Sequence, residues 1–182
     1  SPVYIFPATW KNPWDNLRRS INAVGVDPTR DVLATPGFSE NVGKLAAQDV
    51  VLFDRASRPE FGPVAERWSA DQPIETEIND RAVKVVGLVE IGPSFGIDGT
   101  IITSVDNWLR LFPDRPRNQI QLGLVTLAPG TDPDAARDRL RAMIPTDVLV
   151  MTRAEFAARE RAYWNGATAI GYVFAFGAIM GL

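Results

Sequence analysis

From Gly166 to Leu182 the chain carries seventeen residues in a row without a charged side chain. The stretch before them, "RAEFAARERA" from Arg153, is strongly charged. Thr152 and Glu155 fit the T-x-x-E capping box, in which a hydroxyl and a carboxylate each satisfy an orphan backbone donor. Glu155 and Arg159 stand at i, i+4 in the favourable order. A helix running from Thr152 to Leu182 without a break would be a rod of roughly 46 Å at 1.5 Å per residue. That is too long for the core of a small domain. Tyr163 and Trp164 lie where charge gives way to apolar residues, the position at which a membrane interface selects aromatic anchors. Gly171, Ala175, Gly177 and Gly181 are small residues at helical spacing, which suits close helix packing in lipid. The expectation is a stalk helix continuing into a truncated transmembrane helix. The bland alternative, a terminal helix packed in a core, needs only an apolar stripe rather than a helix apolar all round.

The remainder reads as a water-exposed mixture of strands and short helices. Val3–Trp10 and Ser20–Val26 read as strands, Ser39–Gln48 as a short helix, and "VVLFD" at Val50 as a buried strand. In "PIETEINDRAVKVVGLVEI", Ile74, Thr76 and Ile78 alternate with Glu75 and Glu77. Asn79-Asp80 then turns the chain and Val83 and Val85 alternate on the return, a hairpin with one buried face. Gly87 inside the second strand suggests a bulge. Asp98-Gly99 turns into another strand, and Ser104 caps a helix that Pro113 stops. Further on, "QIQLGLVTL" alternates as a strand, Asp132-Pro133 starts a helix, and "DVLVM" reads as a short buried strand. Ala136, Leu140, Met143 and Ile144 give that helix one apolar stripe. Residues 119–151 are thus expected to form a strand–helix–strand unit. Opening in an apolar run at Ser1 and stopping inside another, the chain reads as a fragment cut at both ends.

Several chemistries find no support. A net charge of −3, with the basic residues scattered, argues against nucleic acid as a partner. The chain has no Cys and no His, so it lacks a disulfide framework, the commonest general base and the commonest neutral metal ligand. "GPSFG", Gly92–Gly96, matches the G-x-S-x-G elbow, but no helix follows and no His exists to activate Ser94. "GFSENVGK", Gly37–Lys44, has five residues between its glycines rather than four and Leu45 after the lysine, so it is no phosphate-binding loop. "DPTRD" and "TDPD" lack calcium-loop spacing. Trp10, Trp14, Trp68 and Trp108 read as core or junction anchors rather than a ligand cage. No catalytic residue, cofactor or metal is expected, and the chain reads as a non-enzyme.

Longer strings are more specific. "VLFDRASRPEFGPVAE", "VKVVGLVEIGPSFGIDGTIITSVDNWLRLFP", "IQLGLVTLAPGTDPDAARDRLRAMIP", "DVLVMTRAEF" and "AYWNGATAIGYVFAFGAIMG" resemble, in order, the DevC family. These are permease subunits of ABC exporters, related to the MacB type and to FtsX-like permeases. The likeness runs from Val3 to Leu182; "ATWKNPWDNLRRSINAVGVDP" is its least distinctive part. The resemblance implies an inner-membrane protein with this portion mostly periplasmic. It implies an α+β, two-lobed domain: a porter-like lobe from residues 1–28 and 118–151, an inserted smaller lobe from 29–117, and the stalk from 152–182. The implied partners are a separate ABC ATPase subunit, a periplasmic adaptor of the membrane-fusion kind, an outer-membrane channel and a second permease copy. The implied work is mechanical coupling of cytoplasmic ATP hydrolysis to export. Two alternatives stand beside it. One is a related permease serving lipoprotein extraction or control of a cell-wall hydrolase. The other is an extracytoplasmic ligand-binding or sensory module, which would show a buried pocket with convergent polar groups.

Overall fold

The structure, a computed structural model, describes residues 1–94 and 96–166. It divides into two compact units, Ser1–Thr126 and a second that begins at Leu127.

The first unit is built on two hairpins. β1 (Pro2–Lys11) and β2 (Arg18–Val26) pair antiparallel from Tyr4↔Gly25 to Lys11↔Arg18. β4 (Ile74–Ile78) and β5 (Arg81–Val89) pair antiparallel across Asn79 and Asp80, which both take positive φ, 50° and 63°. That is the left-handed turn geometry Asn and Asp tolerate best and that strand twist favours. β3 (Val50–Asp54) is buried at every position, as a continuous apolar run requires. It lies parallel to β5 on one side and antiparallel to β6 (Thr100–Ser104) on the other. β6 in turn runs parallel to β2.

The order β2-β6-β3-β5-β4-β1, with β1 returning to β2, closes a six-stranded barrel. The closing seam between β1 and β4 has only two paired positions, Trp10↔Ile78 and Lys11↔Glu77. Side chains reinforce it. Thr76 Oγ1 donates to the Lys11 carbonyl, the Thr9 amide donates to Asn79 Oδ1 at 2.8 Å, and Lys11 pairs with Glu77 at 2.8 Å. Gly87 sits at the register shift between β3 and β5, and a Cβ there would come within 2.5 Å of Asn41 Oδ1.

Opposite strand faces supply two apolar clusters. One gathers Tyr4, Trp10, Phe53, Val85 and Ile101 with Trp108; the other gathers Val24, Val26, Phe38, Leu52 and Ile102. Short helices serve these clusters. α1 (Phe38–Asn41) buries Phe38, α2 (Val64–Arg67) buries Val64, and α3 (Val105–Leu111) buries Trp108 and Leu111. Ser104 Oγ caps α3, accepting from the Asn107 amide at 3.2 Å.

This overturns the two-lobed α+β arrangement expected from the sequence. Residues 1–28 are not one lobe interrupted by an inserted second. β1 and β2 close the same barrel as β3 to β6, and Tyr4, Trp10, Ile21 and Ala23 share one core with residues from 51 to 112. The strand–helix–strand unit is also incomplete. Its helix forms, α4 (Pro133–Met143), with the Asp132 carboxylate accepting from the Asp134 amide at its start. Of the preceding strand only a short piece pairs: β7 (Leu122–Gly123) with Pro2 and Val3, extended by Leu124, which exchanges backbone bonds with Ser1, and residues 147–151 form no strand. Alternation sets which side chains share a face, but a strand also needs an edge to bond. Of the helix expected from Thr152 to Leu182, the described part is α5 (Arg153–Gly166), 14 residues long; residues 167–182 lie outside the described residues. Among the described residues no helix is long and apolar enough to cross a membrane.

Candidate functional site

The densest charged cluster among the described residues lies in the second unit, where α4 meets the start of α5. The reciprocal cap is present: the Thr152 amide donates to Glu155 Oε2 at 2.8 Å, and the Glu155 amide donates to Thr152 Oγ1 at 3.2 Å. Glu155 also engages α4. Arg137 Nη1 donates to Glu155 Oε1 and to Asp134 Oδ1 (2.7 Å), and Arg137 Nε donates to Asp138 Oδ1 (2.9 Å). One guanidinium thus serves three carboxylates, and its side chain is only 16% exposed. One turn later, Arg141 donates twice to the Val150 carbonyl, from Nε at 3.0 Å and Nη2 at 2.7 Å. The segment entering α5, its first turn and its carboxylate are therefore each tied to one face of α4.

The electrostatics follow the bonding. Glu155 is held below the ordinary glutamate range first by the Thr152 amide and then by the Arg137 guanidinium, against an opposing desolvation effect. Asp138 is lowered by its hydrogen bond to Arg137, and Arg137 is raised chiefly by that same bond. A carboxylate favoured in its charged form by folding adds stability above its unfolded pKa and loses it as pH falls through the folded one. Protection of the first turn of α5 against amide exchange should therefore stay flat from neutral pH down to about 4.5, the ordinary value for this group, and collapse only below it. Hydrogen exchange followed by mass spectrometry across that range checks this. Glu155→Gln should show weaker protection at neutral pH and little further loss on acidification.

The other residues singled out from the sequence are placed as follows. Tyr163 and Trp164 fall within α5, with Tyr163 more than half exposed. Gly171, Ala175, Gly177 and Gly181 lie outside the described residues. Ser94 and Ile97 exchange backbone hydrogen bonds, and among the described residues the next element is β6 rather than a helix. Lys44 is engaged by Asn41 Oδ1 at 2.7 Å and the Val86 carbonyl at 3.3 Å. Trp10 and Trp108 are fully buried, Trp68 donates to the Val85 carbonyl at 2.9 Å, and Trp14 lies half-exposed beneath Arg67.

An open depression of about 340 Å³ on the first unit is lined by Pro2, Tyr4, Asp27, Pro28, Val105, Asp106 and Arg117. Its polar groups bond one another or their neighbours: Arg117 pairs with Asp106, the Tyr4 hydroxyl donates to the Arg117 carbonyl, and Asp27 accepts from Thr29. The sequence pointed to Thr152 and Glu155 but not to Arg137 and Arg141. Their spacing of four along α4 was a usable signal for a shared face; what that face would meet was not.

The chain matches no protein-family model and no curated protein.

Proposed function

We propose that the chain is the extracytoplasmic part of a permease subunit in an ABC exporter of the DevC and MacB type. In this reading the protein resides in the inner membrane with most of this chain on the periplasmic side. A separate ATPase subunit closes on ATP in the cytoplasm, and the movement reaches the periplasmic part through α5. There the chain engages a periplasmic adaptor that leads to an outer-membrane channel, and a second permease copy completes the transporter. The chain contributes no chemistry of its own.

Beside the resemblance of the sequence, one observation carries this reading. The start of α5 is fixed by its cap, by Arg137 and by the Arg141–Val150 bonds, so that a displacement of the helix must displace α4 with it. The charged run of α5 is also followed in the sequence by an uncharged one, as an element leading to a bilayer would be.

The test is recovery of the protein, expressed from its own gene, from detergent-solubilised membranes. It should retain an ATP-hydrolysing subunit and a periplasmic adaptor. Retention of a cell-wall hydrolase or a lipoprotein carrier in place of the adaptor would favour the related permeases. Recovery from the soluble fraction with no ATPase would overturn the reading.

A further inference from the structure

We propose that Arg137 is the coupling latch of this protein, a positioning residue through which movement of α5 is passed to α4; this rests on the exporter reading above. A latch must hold both elements, resist shear and be difficult to replace by solvent. Arg137 meets each condition. It projects from the middle of α4 and bonds Asp134 and Asp138 on its own helix, which fixes the guanidinium plane before it reaches Glu155. Its remaining reach is spent on a carboxylate that is itself fixed, because Glu155 Oε2 is held by the Thr152 amide. Its side chain is 16% exposed, against 46% for Arg141 and 65% for Arg117, so water competes less for its donors. The planar fork matters here, since an ammonium cannot hold three carboxylates in one fixed orientation.

An isolated surface ion pair would carry little weight. This one differs because each partner is pinned before the pair forms, so its formation orders little that is not already ordered. Arg141 is the second attachment. It binds the Val150 carbonyl rather than a side chain of α5, so it sets where the helix begins and not how the helix turns.

The consequence is readable without knowing the cargo. Coupling between two sites is reciprocal: if ATP bound in the cytoplasm changes adaptor affinity outside, the latch is part of what makes it do so. In the reconstituted complex the probes are ATP and the co-purified adaptor. The ratio of adaptor Kd without ATP to that with ATP should be about tenfold for the native protein and fall to near one for Arg137→Ala. Adaptor binding without ATP should persist, as should basal ATP hydrolysis, which resides on another chain. Arg137→Lys should recover only part of the ratio. Arg139→Ala, an exposed neighbour that bonds only the Ala135 carbonyl of its own helix, should leave it unchanged.

Because the chain has no cysteine, an Arg137→Cys, Glu155→Cys pair can be bridged selectively by a short bismaleimide. The unbridged pair should be uncoupled, and bridging should restore the ratio. A role confined to folding would give variants that lose adaptor binding and ATP-linked binding together and gain nothing from the bridge. If Arg137→Ala keeps the native ratio while ATPase and adaptor still co-purify, the latch is overturned and the exporter reading stands. If neither co-purifies with the native protein, both fall.

Discussion

Replacing Trp108 with alanine is expected to cost the barrel about 3–5 kcal/mol, the upper range for loss of a large buried aromatic. The side chain is fully buried, and its indole N–H donates to the Ala23 carbonyl at 3.1 Å. Its ring contacts Tyr4 at 5.1 Å and Phe112 at 4.4 Å between centroids. Truncation therefore opens a cavity, strips two aromatic partners and removes the indole hydrogen bond to the Ala23 carbonyl. Little can collapse into the gap, because the backbone at Gly25 already lies against the ring. A Cβ at Gly25 would come within 2.8 Å of Trp108 Cβ. Gly25→Ala should accordingly cost about 1–3 kcal/mol by overpacking at the same place. Urea unfolding followed by near-ultraviolet dichroism measures both. A loss below about 1 kcal/mol for Trp108→Ala would mean that α3 does not close the core as described.

Asp54→Ala should be nearly as damaging, by about 3 kcal/mol. Asp54 is the last residue of β3 and is fully buried. Its Oδ1 accepts from the Ala56 amide at 3.1 Å and the Ile91 amide at 2.9 Å, and its Oδ2 accepts from the Gly92 amide at 3.0 Å. The carboxylate thus holds the end of β3 against the chain leaving β5, and without it three donors lose their acceptor. Asp54→Asn separates the contributions. Its amide oxygen can keep Ala56 and Ile91, but its NH₂ then faces the Gly92 N–H, donor against donor. About half the loss is expected. Amide exchange at residues 91 and 92 should accelerate in both variants, and in Asp54→Asn mainly at 92.

How much of this could be read from the chain divides by range. The β4–β5 hairpin was legible because two-residue alternation and an Asn-Asp turn are both local signals, and the α3 cap at Ser104 was legible for the same reason. The all-apolar Val50–Phe53 announced burial on both faces but not its neighbours. The parallel pairings β2–β6 and β3–β5 join segments far apart in sequence, and they are what turns two hairpins into one barrel. Nothing local encodes them. The strands expected at 119–127 and 147–151 failed for the converse reason: their side-chain pattern suits a sheet, but only Leu122, Gly123 and Leu124 find an edge. At Asp54 the sequence showed a charge ending an apolar strand. Its use became visible only when the Ile91–Gly92 backbone arrived beside it. The cap at Thr152 and Glu155 lies within one turn and could be read; Arg137 is eighteen residues from Glu155 and could not.

We propose that α5 passes movement on because it is stiff and fixed at its base. The most direct test is a flexible Gly-Ser insertion of about seven residues after Arg161, beside an Ala-rich helical insertion of the same length, close to two turns, which preserves the helix face. With the Gly-Ser insertion the barrel should stay folded and ATP hydrolysis should continue, while export stops and ATP no longer alters adaptor affinity. The helical insertion should retain a measurable part of both. Export and ATP-linked adaptor binding at native levels with the Gly-Ser insertion in place would contradict rigid transmission through this helix.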